Sequence, residues 1–193
     1  MAAVPQELAL AADSAKDEEE LLALLEARLT LPAEVPAEDK PVTALEQFPE
    51  NLTVEEFKAL GTVKTFMVKH RLNRPKVYTP TTTADIETGM HNVQVGVEVS
   101  GTVGYADNSF DKDRTFNVGN VHMEMTPDWL LFHPKTHIPK VGEKIRVRGW
   151  TYYDVFHKAE SEWDPKNPVT GDGRVTLWEI HPVQDVEILS GAN

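Results

Sequence analysis

From Val93 to Val99 every second residue is valine, and the positions between them are Gln94, Gly96 and Glu98. A two-residue period puts all four valines on one face of a β-strand, and this local pattern constrains the chain more than any other. Gly101 and Gly104 follow in the same segment, where interior glycines suit a strand that bends or bulges. Asp107 to Asp113 reads as a polar turn, and alternation resumes from Phe116 to Met125 with Val121, Met123 and Met125 opposite His122 and Glu124. Val141-Gly142-Glu143 turns into a strand from Lys144 to Tyr153. A polar loop from Glu160 to Gly173 then leads to Arg174–Leu189, a run that Pro182 divides into two strands or bends once. Five or six strands with little helix predict a mainly β domain, a small OB-like barrel that is closed or partly open.

Charge separates this body from what precedes it. Residues 1–60 hold 14 acidic and 4 basic side chains, a net of -10, whereas residues 61–193 hold 17 and 15, a net of -2. None of the 11 glycines precedes Gly61. The expected division is an acidic N-terminal arm, 1–60, and an OB-like barrel domain, 61–193. Within the arm, Asp13 or Ser14 caps a helix over 14–29 whose Leu21, Leu22, Leu25 and Leu29 form one apolar stripe. A proline- and glutamate-rich linker, extended or disordered, comes next. Thr53 and Glu56 make a capping box for a short helix over 54–60, with Leu52 and Phe57 as its hydrophobic staple and Gly61 at its C-terminal end.

Gly149-Trp150, Asp154, His157 and the run Thr176-Leu-Trp-Glu-Ile-His-Pro-Val183, after the strand Val141-Gly-Glu-Lys-Ile-Arg-Val-Arg148, resemble a set of poorly characterised bacterial proteins. Those are small OB-fold-like barrels with a C-terminal Trp-Glu-Ile-His-Pro-Val segment. The resemblance spans roughly residues 90–190 and implies the fold and a binding module, without an activity. OB-like barrels take nucleic acid, oligosaccharide or protein ligands.

Six polar residues are placed where chemistry can be built: His122, Glu124, Asp154, His157, Glu179 and His181. His122 and Glu124 are two apart on one expected strand, and Glu179 and His181 repeat that spacing on another, so each pair shares a face. Asp154 and His157 lie just past a strand end, at the mouth of a barrel. Three readings are open for them: a buried polar network that fixes the barrel, a divalent metal site using His122, Glu124, Asp154, His157 and His181, or a metal-free ligand or catalytic site. His70, His91, His133 and His137 read as surface or loop histidines.

A ligand face near Arg146, Arg148, Trp150, Tyr152, Asp154 and His157, supported by Glu179 and His181, would suit single-stranded nucleic acid or a protein partner. Lys64, Lys69, Arg71, Arg74 and Lys76 form the one basic stretch. The near-neutral body and the acidic arm do not favour a polyanion. The leucine stripe of helix 14–29 offers a partner-docking face, or a face that packs on the barrel itself. No cysteine is present, which excludes thiol nucleophiles, disulfides and iron–sulfur clusters. Phosphate loops, dinucleotide fingerprints, serine elbows and His-Glu-x-x-His helices are also missing. No apolar run is long enough for a membrane span and the first residues lack a basic signal start, so the expected location is cytoplasmic. The sequence thus predicts a binding module of open ligand, or alternatively a metal-dependent hydrolase with a His/carboxylate cluster at the barrel mouth.

Overall fold

The computed structural model describes residues 48–109, 111–156 and 176–189. The expected helix over 14–29, nearly all of the linker after it, His157 and the whole polar loop from Glu160 to Gly173 lie outside the described residues. The elements in chain order are α1 (Val54–Lys58), α2 (Thr62–Lys69), β1 (Thr79–Thr81), α3 (Thr83–Glu87), β2 (Gly96–Asn108), β3 (Arg114–Val118), β4 (Val121–Met125), α4 (Pro127–Phe132), β5 (Lys144–Tyr153) and β6 (Trp178–Ile188).

Five strands close a barrel in the order β2-β3-β4-β6-β5, with β5 returning to pair with β2, and β1 adds a short parallel strand to β2. Pairing within the five-stranded barrel is antiparallel except between β4 and β6, which run parallel at His122↔Glu179 and Met123↔Ile180. Closure depends on β2 serving two neighbours. Its first half, Gly96 to Thr102, pairs with β5, and its second half, Val103 to Asn108, pairs with β3. The register slips by one residue at Gly104, the bulge that the glycine pattern anticipates. At Gly101 a Cβ would sit 2.4 Å from Val118 Cγ1, so the bare backbone is what lets β3 cross there.

Inside the barrel Val97, Val99, Phe116, Val118, Met123, Met125, Ile145, Val147 and Ile180 are buried at 2% exposure or less. Two expectations are revised, and one open alternative is decided. The run Phe116 to Met125 is not one strand but the hairpin β3–β4, because Gly119 takes φ 59° and reverses the chain with Asn120. Alternation from Val93 overstates β2, which starts at Gly96; Gln94 has φ 62° and Val93 instead bridges to Leu52. The run through Pro182 is a single strand, β6, with register shifts opposite Gly149.

Helix α1 carries its capping box, with the Glu56 amide donating to Thr53 Oγ1 at 3.2 Å and the Thr53 amide donating to Glu56 Oε2 at 2.9 Å. It ends at Lys58, and Gly61 caps the start of α2. Residues 48–60, grouped with the arm on charge, pack on the barrel: Phe57 is fully buried with its ring 5.3 Å from that of Tyr152. Helix α2 follows on the same surface, where the Tyr152 hydroxyl donates to the Thr65 carbonyl at 3.2 Å. Among the described residues no helix is long and apolar enough to cross a membrane.

Candidate metal centre on the outward face

Strand alternation decides which side chains meet. Met123 and Ile180 point into the barrel, so their neighbours His122, Glu124, Glu179 and His181 point outward. The pairs Thr115↔Glu124, Asn117↔His122 and His122↔Glu179 bring polar residues of β3, β4 and β6 side by side on that face. An outward face is ordinarily wet. Here Thr115 and Asn117 are buried and His122, Glu124, Glu179 and His181 are at most 6% exposed, because α2 and the turn before β3 cover them. Asp113 arrives from that turn at 2% exposure, Asp154 from the end of β5 at 1%, and Lys69 from the last turn of α2 at 3%.

Glu124 is the hinge of the arrangement. Its Oε1 lies 2.8 Å from His122 Nε2, and its Oε2 lies 2.7 Å from His181 Nδ1. The His122 ring is aimed by Asn117 Oδ1, 2.8 Å from Nδ1. His181 faces carboxylates on both sides, with Nε2 3.4 Å from Asp113 Oδ2 and Nδ1 3.5 Å from Glu179 Oε1. The Asp113 Oδ1 atom is buried without a hydrogen-bond partner. Lys69 Nζ is 3.8 Å from Asp154 Oδ2 and 5.5 Å from the centre of the Tyr152 ring.

Four buried carboxylates therefore meet one ammonium and two imidazoles, and the electrostatics reflect the imbalance. Burial works to lower the His181 pKa, but the Glu124 carboxylate outweighs it and His181 is raised to about 10. Burial likewise opposes ionisation of Glu124, yet His181 and His122 hold it well below the usual carboxylate range. Asp113 goes the other way: burial pushes it well above its ordinary value, with only partial relief from His181. Lys69 is kept charged against burial by Asp154 and its other acidic neighbours.

Two donor triads share this space, Asp113–Glu124–His181 and His122–Glu124–Glu179, each with ligand atoms within 4.8 Å of one another. Metal–ligand bonds of about 2.0–2.2 Å place donors within roughly 4 Å of each other, so small inward rotations suffice. Nitrogen and carboxylate donors suit zinc, manganese or iron.

Of the sequence candidates, His122, Glu124, Asp154, Glu179 and His181 converge; His157 is outside the described residues. The proposed ligand face divides. Tyr152 belongs to the cluster, whereas Trp150 is fully buried under the Arg71 guanidinium, 3.5 Å from its ring centroid. Arg146 and Arg148 lie further along β5 and pair with Glu98, Asp185 and Glu187. The basic stretch also breaks up, since Lys69 and Arg71 are buried while Lys64, Arg74 and Lys76 are exposed. Among the other histidines, His133 stacks on Trp129 at 3.7 Å, His137 contacts Glu143 at 2.7 Å, His70 sits 3.5 Å from Asp128 and His91 bonds Thr81 at 2.6 Å. Sequence reasoning missed Lys69 and Asp113. Lys69 was hidden among other basic residues, and Asp113 looked like one more acid in a solvated turn.

No protein-family model and no curated protein matches the chain. Among solved structures it is similar to RecG bound to a three-way DNA junction, at 14% identity and a TM-score of 0.29, over 91% of this chain and 23% of that one. A likeness of that size carries no argument about ligand or activity.

Proposed function

We propose that this protein is an OB-like binding module whose ligand is a divalent metal ion held on the outward face of the barrel. The observation that carries the reading is the convergence of His122, Glu124, Glu179, His181 and Asp113 under α2, with Asp113 Oδ1 buried and unpartnered. Such an excess of buried carboxylate is costly unless a cation offsets it. The His122 imidazole needs little rearrangement to become a ligand, since Asn117 already orients the ring through Nδ1, the arrangement usual for metal-bound histidine.

Burial favours holding over hydrolysis. A catalytic metal keeps an open position facing its substrate, whereas every donor here is at most 6% exposed. Nucleic-acid stacking is disfavoured by the same geometry, because Trp150 and Tyr152 offer no free ring face. The reading is tested by treating the purified full chain with chelator, dialysing it against Zn2+ or Mn2+ and measuring bound metal. Retention of metal by the wild type and a lower metal content in His181→Ala is expected; a wild type that retains none overturns the reading.

A further inference from the structure

The two oxygens of Glu124 face two different imidazoles, and each imidazole stands in a separate donor triad. Oε1 is engaged at 2.8 Å by His122, beside Glu179, and Oε2 lies 2.7 Å from His181, beside Asp113. A single ion can take one triad but leaves the other triad's histidine and carboxylate without a cation. We infer that the site holds two divalent ions bridged by the Glu124 carboxylate, one ligated by Asp113 and His181 and the other by His122 and Glu179. This rests on the metal-binding reading above and specifies its nuclearity.

Three observations support a pair. The unpartnered, buried Asp113 Oδ1 points to a ligand on the His181 side, independently of the His122 side. Asn117 fixes the His122 ring so that Nε2 is the atom left for coordination. Lys69 is drawn to Asp154, at the margin of the cluster, so the three carboxylates of Asp113, Glu124 and Glu179 are left facing the two ions. Carboxylate-bridged ions stand about 3.5–4 Å apart in two-metal sites generally. The Glu124 contacts to the two histidines would open slightly to admit them.

The experiment loads the full chain with Mn2+ and counts ions by native mass spectrometry, then records electron paramagnetic resonance. Two Mn2+ per wild-type chain with an exchange-coupled spectrum is expected. Asp113→Asn and His122→Gln should each keep one ion and show the uncoupled signal of isolated Mn2+, which a purely structural role for either residue would not produce. One ion per wild-type chain, or two ions without coupling, overturns the bridged pair while leaving the metal-binding reading intact. No ion at all overturns both.

Discussion

The outward face of the barrel carries two groupings of acidic and basic side chains. On one, Arg146 and Arg148 alternate with Glu98, Asp185 and Glu187; each arginine has a carboxylate within 3.0 Å, and the five side chains are 24% to 49% exposed. On the other, Asp113, Glu124, Asp154 and Glu179 surround His181 and Lys69 at 6% exposure or less. The ladder has opposite charges in alternation and water to screen them, so each pair adds little and needs nothing further. The cluster has neither, and its surplus of carboxylate must be met by protons or by a cation. Carboxylates outnumber permanent cations in both, and burial is what makes the surplus costly in one of them.

The comparison is broken most directly at His181. His181→Ala should cost about 3–5 kcal/mol of unfolding free energy, because it leaves Glu124 buried beside one histidine instead of two. Urea unfolding checks this, and a loss below about 1 kcal/mol would place the cluster in the same class as the ladder. Lys69→Met, which removes the ammonium beside Asp154, should cost somewhat less, about 3 kcal/mol by the same measurement.

Alkaline pH should act on the metal-free cluster in a defined direction. His181 binds its proton up to about pH 10 when folded and only to about 6.5 when unfolded, so its contribution is complete below 6.5 and is lost as pH rises through 10. Glu124 has a lowered pKa, so its contribution is present above the ordinary carboxylate range and is lost as pH falls below it. Urea midpoints in chelator should therefore fall between pH 7 and 10; a rising midpoint contradicts the assignment of His181. The smallest effect is expected at the ladder. Arg148→Ala should change stability by less than about 1 kcal/mol, and raising the salt concentration should shrink the difference.

Much of the barrel was legible because strand faces follow a two-residue period. Lys144–Tyr153 and the capping box at Thr53 appear as expected, and the bulge at Gly104 matches its glycine. Three short helices escaped notice although two carried a signal: Thr82 and Asp85 form a second capping box, and Thr126 caps α4 with Pro127 in its first turn. Helix α2 had no comparable mark, since Gly61 caps it without a side chain. The same period that placed His122 with Glu124 and Glu179 with His181 gave their faces but not their burial. What buries them comes from Lys69 and the turn at Asp113, contacts set by tertiary packing that no local pattern records.

A divalent ion bound at the buried face should offset its surplus charge, and thermal unfolding of the chelator-treated full chain with and without Zn2+ or Mn2+ measures that effect. At about 100-fold excess over Kd the ion should stabilise the wild type by about 2.7 kcal/mol, seen as a clear rise in Tm. His181→Ala should show a clearly smaller rise, and Arg148→Ala should keep all of it. An unchanged wild-type Tm, or an equal rise in His181→Ala, would contradict the account.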